Sequence, residues 1–152
     1  MEFKVIGMRG DDSYDDIISH FTSMGGEVIL MDPNMVVGTD HIISAANHAQ
    51  RSFDEGTNRS KTLLTEIILY SAWERQISKA ISKMKPKEGR NEYVALLIDI
   101  DDPSLESIGM VRDDSLINAT DAKAKALGLV KCSIPYEDQA VENVAMVELL
   151  KN

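Results

Sequence analysis

Short strand-like runs and longer helix-like runs alternate along the first third of the chain. Two short apolar runs, at residues 3–8 and 27–31, predict strands. Two longer runs, at residues 13–24 and 38–54, have apolar residues three and four apart and predict helices. Ser13 stands three residues before Asp16, as a helix-capping residue does. Gly56 follows the second helical run, where glycine commonly ends a helix.

The second half of the chain adds one strong strand and several weaker patterns. Residues 93–100 are almost continuously apolar, which suits a strand covered on both faces. The weaker patterns predict, in order, a helix at residues 105–111, a helix at 121–127, a turn at 136–141 and a closing strand at 144–150. The whole set predicts a single α/β domain over residues 1–152, with a mixed β-sheet flanked by helices. The periodicity does not give the order of the strands.

Residues 58–84 carry the most informative pattern, which predicts two helices with a break near Trp73. After the break, apolar residues form one helical stripe at Ile77, Ala80, Ile81 and Met84. Arg75, Lys79 and Lys83, each four residues apart, form a second, positively charged stripe. Like charges at this spacing destabilise an isolated helix by roughly 0.2–0.5 kcal/mol per pair. The stripe is therefore either a solvated lysine face or a contact for an anionic partner.

The charge distribution favours an anionic partner. The chain is acidic, with 16 Lys and Arg against 25 Asp and Glu. Residues 58–90, which we call the basic segment, hold eight basic and three acidic residues and have a formal charge of +5, whereas the rest of the chain sums to −14. A basic region in an acidic chain predicts one local anionic contact, because the acidic remainder discourages general adhesion to nucleic acid.

Several functional classes lack their sequence signals. Cys132 is the only cysteine, which excludes an intrachain disulfide and fits a reducing compartment. No apolar run approaches the roughly 20 residues that span a bilayer, and the N-terminal residues lack a signal-peptide pattern, so we expect a cytoplasmic protein. Phosphate-loop, dinucleotide-binding, GxSxG, HExxH and CxxC motifs are absent. We expect a binding protein without cofactor, metal or catalytic residues.

The basic segment resembles a known family. Three motifs carry the resemblance: NRSKTL at residues 58–63, EIILYSA at residues 66–72, and RQI at residues 75–77 followed by AI at 80–81. Together they resemble the signature of the small regulatory subunit of the KEOPS complex, the PRPK-binding-protein family. The resemblance extends upstream through residues 41–46, with Arg51 and Phe53, and ends at residues 144–149. Trp73 departs from it, because the family has a small residue before the RQI motif.

The resemblance implies a non-catalytic subunit with two contacts. One is a direct contact with the atypical kinase/ATPase subunit of KEOPS, which in turn holds the catalytic threonylcarbamoyl transferase subunit. The other is with tRNA, through its 3′ CCA tail, and the reaction served is threonylcarbamoylation of adenosine 37. No membrane partner is expected.

The residue types suggest how RNA would be held. Phosphates would be bound by Arg59, Lys61, Arg75, Lys79 and Lys83. The amides of Asn58 and Gln76 suit the exposed base edges of a single strand. Tyr70 either stacks on a base or belongs to the core.

Two other functions stay open. In the first, the chain is a protein-only adaptor without RNA binding, and the basic segment contacts an acidic protein. In the second, it is a small-molecule enzyme that uses Asp99, Asp101 and Asp102, which follow the strongest predicted strand.

Overall fold

A computed structural model describes residues 1–150, which form four strands and six α-helices. The strands are β1 (Phe3–Gly10), β2 (Glu27–Met31), β3 (Glu92–Ile98) and β4 (Met110–Arg112). The helices are α1 (Tyr14–Thr22), α2 (Thr39–Glu55), α3 (Leu63–Ser71), α4 (Ile77–Met84), α5 (Asp121–Leu127) and α6 (Tyr136–Leu150). Short 3₁₀ turns lie at Pro33–Met35 and Asp114–Ile117.

The strands form one sheet in the order β2-β3-β1-β4. The predicted α/β class is confirmed, but all three pairings are antiparallel, so the sheet is not a mixture of parallel and antiparallel pairs. The chain passes through α2, α3 and α4 between β2 and β3, and β3 then enters the sheet between β1 and β2, antiparallel to both. Strand direction is set by this connection, which local periodicity does not record.

The central strand β3 is buried on both faces, as its apolar run predicts. Tyr93, Ala95 and Leu97 belong to a core that includes residues of α1. Val94, Leu96 and Ile98 belong to a second core, formed with residues of α2, α3, α4 and α6. The sheet therefore separates one helix on its first face from a layer of four helices on its second, and the basic segment lies within that second layer.

The helix-terminus predictions are confirmed. The hydroxyl of Ser13 accepts a hydrogen bond from the backbone N–H of Asp16 at 3.1 Å, which caps α1. Gly56 adopts the left-handed conformation, with φ of 71°, just after α2. The predicted break near Trp73 separates α3 from α4.

Two predictions for the second half are wrong. Residues 144–150 form the last part of α6 rather than a strand, because Val144 and Val147 lie on one helical face that is buried against α2 and α3. The predicted turn at residues 136–141 is the first part of the same helix. Residues 105–111 do not form a helix. Met110 instead enters the short strand β4, which pairs with the edge of β1, and this pairing depends on residues about 100 positions away in sequence.

His41 ties the start of α2 to the end of α3. Its Nδ1 accepts a hydrogen bond from the backbone N–H of Val37 at 3.2 Å, so Nε2 carries the proton and donates to the carbonyl of Ser71 at 2.8 Å. Burial lowers the pKa of His41 to about 4, and the nearby charges of Lys83 and Lys123 act in the same direction. Only the neutral ring satisfies both backbone groups.

The neutral state of His41 should make folding stability fall in acid. An unfolded histidine takes up its proton near pH 6.5, whereas folded His41 does so only near pH 4. Below pH 6.5 the unfolded state therefore binds more protons, and we expect the free energy of unfolding to lose about 3 kcal/mol by pH 4 from this group. Urea unfolding at pH 7, 6, 5 and 4 measures the loss.

The control variant is His41→Asn, whose side-chain amide oxygen can still accept a hydrogen bond from the backbone N–H of Val37. It should be less stable than wild type at pH 7 but should show a flatter dependence on pH. Parallel curves for the two proteins would contradict the assignment of the proton uptake to His41.

Candidate functional site

The seven predicted RNA-binding residues fall into two groups, one at each end of α3. Asn58, Arg59 and Lys61 lie in the connection between α2 and α3, which we call the α2–α3 loop. Arg75, Gln76, Lys79 and Lys83 lie in the following connection and in α4. The nine residues of α3 span about 13 Å, so the two groups are separated by roughly that length. Both groups therefore belong to the helical layer on the second face of the sheet, but they do not form one cluster.

The α2–α3 loop is organised around the side chain of Glu66. Its carboxylate is fully buried and accepts hydrogen bonds from the backbone N–H groups of Arg59 and Ser60. The side-chain amide of Asn58 donates to the carbonyl of Ser60 at 2.9 Å. At least part of the amide predicted to bind a base is thus used within the loop, whereas the side chains of Arg59 and Lys61 are exposed.

The end of α3 has an unusual residue at its turn. The backbone N–H of Trp73 donates to the carbonyl of Tyr70, and that of Glu74 donates to the carbonyl of Leu69, which is the Schellman pattern of helix ends. Trp73 occupies the left-handed position of this turn with φ of 42°, where glycine is usual. A left-handed conformation costs a non-glycine residue roughly 1–2 kcal/mol, and the contacts of the indole ring offset that cost.

The ring of Trp73 lies between a histidine and a lysine. Its centroid is 5.1 Å from that of His41, and the Nζ of Lys83 lies 4.5 Å from it. The same Nζ donates to the carbonyl of Ala72 at 2.7 Å. Burial lowers the pKa of Lys83, while the charge of Glu74 acts in the opposite direction. Lys83 therefore helps to hold the turn after α3, which the spacing of basic residues alone does not reveal.

Arg75 and Lys79 remain directed to solvent. Both side chains are exposed, as is that of Gln76, and within residues 1–150 the charged groups of Lys61, Arg75 and Lys79 form no ion pair or hydrogen bond. Exposed, unpaired cations can be offered to an anionic ligand without first breaking an internal contact. These three side chains are consequently the best-placed cations of the predicted set.

Tyr70 belongs to the core, which settles the alternative that the sequence left open. Its ring is fully buried and stacks on His48 with centroids 5.7 Å apart. Its hydroxyl donates to the carboxylate of Glu148 on α6 at 2.9 Å. Burial, followed by the hydrogen bond to Glu148, raises the pKa of Tyr70 well above its usual value. The side chain links α3 to α6 and does not offer a stacking face.

A cavity of about 760 Å³ lies on the other flank of α4. One of its walls carries the basic residues Lys85, Lys87 and Arg90, and another carries the acidic residues of positions 11–15. Ile81, a member of the apolar stripe of α4, is 42% exposed and lines the cavity. Lys85, Lys87 and Arg90 thus face the cavity, whereas Lys79 faces solvent. The packing of α4 determines this difference.

Two of the three aspartates of the enzyme alternative accept hydrogen bonds from nearby backbone groups. Asp99 accepts a hydrogen bond from the backbone N–H of Glu2 at 2.8 Å, and Asp102 accepts one from that of Ser104 at 3.1 Å. The cavity of about 760 Å³ and a smaller one of about 200 Å³ are both lined by other residues. The geometry therefore gives Asp99, Asp101 and Asp102 no substrate site in either cavity.

One face of α6 is apolar and exposed. Met146, Leu149 and Leu150 are spaced as neighbours on a helix, and Leu149 is 66% exposed. Sequence reasoning missed this face because it assigned these residues to a strand. The spacing of three and four between them is the signal that could have revealed it.

No helix within residues 1–150 is both long and apolar enough to cross a membrane. Over the same residues, no group of three or more His, Cys, Asp or Glu side chains is arranged to hold a metal ion.

Comparison with known protein families identifies a match to most of the chain. A family model described as kinase binding protein CGI-121 matches residues 14–151, which is most of the chain. No curated protein matches. The match includes the α2–α3 loop, α3, α4 and the exposed face of α6. This chain therefore belongs to the CGI-121 family of kinase binding proteins.

Proposed function

We propose that this chain is a non-catalytic subunit of the KEOPS complex that binds two partners through two different surfaces. The exposed face of α6 holds the atypical kinase/ATPase subunit directly, and through it the catalytic threonylcarbamoyl transferase subunit. The exposed cations of the basic segment hold tRNA at its 3′ CCA tail. The chain serves threonylcarbamoylation of adenosine 37 in the cytoplasm by orienting the substrate rather than by making or breaking bonds.

The kinase contact is supported by the family match together with the apolar face of α6. Kinase binding is the activity for which the family is named. Met146, Leu149 and Leu150 form an exposed apolar patch, the kind of surface that marks a protein–protein contact. Apolar residues at helical spacing commonly bind a groove or sheet surface of a partner. This exposed face is the observation that carries the proposal.

The tRNA contact is supported by the charge of the basic segment and by the exposure of its cations. The segment has a formal charge of +5 in a chain whose net charge is −9. Arg59 and Lys61 are exposed before α3, and Arg75 and Lys79 are exposed after it. Cations in two groups about 13 Å apart suit an extended strand, whose successive phosphates are spread along its length. A single-stranded tail also leaves its base edges accessible to Gln76.

A charge in the apolar face of α6 should abolish kinase binding. Leu149→Glu places a carboxylate where the partner needs an apolar surface, and we expect at least a hundredfold loss of affinity for the kinase subunit. Because Leu149 is largely exposed, the free energy of unfolding should change by less than about 1 kcal/mol. Co-purification and titration calorimetry with the kinase subunit measure the contact.

The matched control is Val130→Glu, which charges an equally exposed aliphatic residue outside α6. It should bind the kinase subunit as wild type does. Equal binding by both variants would remove the α6 assignment, and equal loss would show that added charge acts non-specifically.

Charge reversal at Lys79 should weaken tRNA binding and reduce its dependence on salt. Each single-strand phosphate contact contributes about −0.7 to the slope of log affinity against log salt, so about three contacts give a slope near −2. Lys79→Glu should lower the magnitude of that slope by about 0.7 or more while leaving kinase binding intact. Filter binding of tRNA between about 50 and 200 mM salt measures it.

The matched control is Lys125→Glu, an exposed helical lysine on α5 outside the basic segment. It should bind tRNA nearly as wild type does. tRNA without its CCA should bind wild type at least as weakly as intact tRNA binds the Lys79→Glu protein, and adding Lys79→Glu to the loss of the CCA should cost little more. If tRNA without CCA binds as well as intact tRNA, the basic segment serves a different anionic partner.

A further inference from the structure

Glu66 is a buried acid inside the most basic part of the chain. Its exposed fraction is 0%, and it lies in the first turns of α3, just after the predicted RNA-binding residues Asn58, Arg59 and Lys61. A carboxylate removed from water is costly unless several donors surround it. Within a surface that binds an anion, the charge of Glu66 would also repel the ligand. A buried carboxylate at this position is therefore expected to have a structural role that offsets both costs.

At least three donors hold this carboxylate. The backbone N–H of Ser60 donates to Oε1 at 2.9 Å, and that of Arg59 lies 3.1 Å from Oε1 and 3.2 Å from Oε2. The hydroxyl of Ser52, on the neighbouring helix α2, donates to Oε2 at 2.9 Å. The carboxylate therefore connects the α2–α3 loop to both helices that flank it.

The inward hydrogen bonds determine which parts of the loop face outward. Ser60 is buried, and its backbone N–H donates a hydrogen bond to the carboxylate of Glu66. The side chains on either side of it, those of Arg59 and Lys61, are exposed. The amide of Asn58 donates to the carbonyl of Ser60 and closes the loop from the other side. Fixing the backbone of a residue costs roughly 1–2 kcal/mol in conformational entropy. A loop already held in place does not bear that cost again when a ligand binds.

We propose that Glu66 is the positioning residue of the tRNA surface: its buried carboxylate holds the α2–α3 loop so that Arg59 and Lys61 are pre-arranged for phosphates. This inference rests on the proposed tRNA function and adds a residue that touches no RNA itself. It predicts that replacing Glu66 changes tRNA affinity in the direction opposite to that expected from charge alone. Removing a negative charge near a polyanion should strengthen binding by simple electrostatics, whereas removing this one should weaken it.

The test compares three variants that each remove one negative charge from the basic segment. Glu66→Leu removes every acceptor and takes this partner away from the buried N–H of Ser60 and the partly buried N–H of Arg59. Glu66→Gln keeps one acceptor oxygen for the loop and is the conservative rescue. Glu88→Leu removes an exposed charge of the same segment that does not contact the α2–α3 loop.

Two measurements are made on each variant. The first is the dissociation constant for intact tRNA at one fixed salt concentration, with kinase binding measured in parallel as a check on the fold. The second is amide hydrogen exchange of Arg59 and Ser60, with the amides of Ile67 and Leu69 within α3 as internal references.

We expect the dissociation constant to rise about tenfold in Glu66→Leu and about threefold in Glu66→Gln, and to fall or stay unchanged in Glu88→Leu. Amide exchange at Arg59 and Ser60 should be fastest in Glu66→Leu and intermediate in Glu66→Gln. Amide exchange within α3 and kinase binding should stay as in wild type.

Unchanged or tighter tRNA binding by Glu66→Leu, with wild-type binding intact, overturns the positioning role alone. Exchange at Arg59 and Ser60 that stays slow in this variant overturns it as well, because the loop would then be held without Glu66. A wild-type protein that does not bind tRNA overturns the proposed function itself.

Discussion

The position of α3 decides where the basic segment presents its charges. This helix has nine residues, too few to be stable by itself in water, so it depends on packing within the helical layer. Ile67 and Leu69 are buried against that layer, and the hydroxyl of Tyr70 is bonded to Glu148 of α6. Because both groups of predicted RNA-binding residues flank α3, their separation and direction follow from how firmly this one helix is held.

Each end of α3 carries a residue that a local rule would disfavour. At the start, Glu66 buries a carboxylate, and at the end Trp73 adopts a left-handed conformation. Both are offset by specific contacts: at least three hydrogen-bond donors for the carboxylate, and the ring of His41 and the ammonium of Lys83 for the indole. Such departures from local preference are common where function requires a particular backbone position. Glu66 opens one of the motifs that carry the family resemblance, whereas Trp73 stands outside them and departs from the family pattern.

The two proposed surfaces use different physical interactions. The face of α6 is apolar and suits a stable contact in which water is excluded, whereas the basic segment offers exposed cations whose attraction to phosphate weakens with salt. Glu148 connects the two surfaces structurally. It lies on α6 between Met146 and Leu149 in sequence, and its carboxylate accepts a hydrogen bond from the hydroxyl of Tyr70 on α3. A partner bound to α6 is thereby held in a defined orientation relative to α3. In the proposed function, the acidic remainder of the chain would keep tRNA on the side that carries the basic segment.

The sequence alone determined the features that depend on neighbouring residues. The Ser13 cap, the glycine after α2, the strand β2, the helix α5 and the break at Trp73 are all local, and each was predicted where the structure has it. The same holds for the apolar character of β3, because burial on both faces leaves a continuous apolar run. The family was also recognisable, since its motifs are short and contiguous.

Tertiary structure decided what depends on distant partners. Residues 144–150 have apolar side chains that fit a strand or a helix, and packing against α2 and α3 selects the helix. The antiparallel sheet follows from the route of the chain between β2 and β3. Lys83 and Lys79 look alike in sequence, yet one binds the carbonyl of Ala72 while the other faces solvent. Periodicity places a side chain on a face of its own helix, but only the packed neighbours determine whether that face meets a carbonyl, a cavity or water.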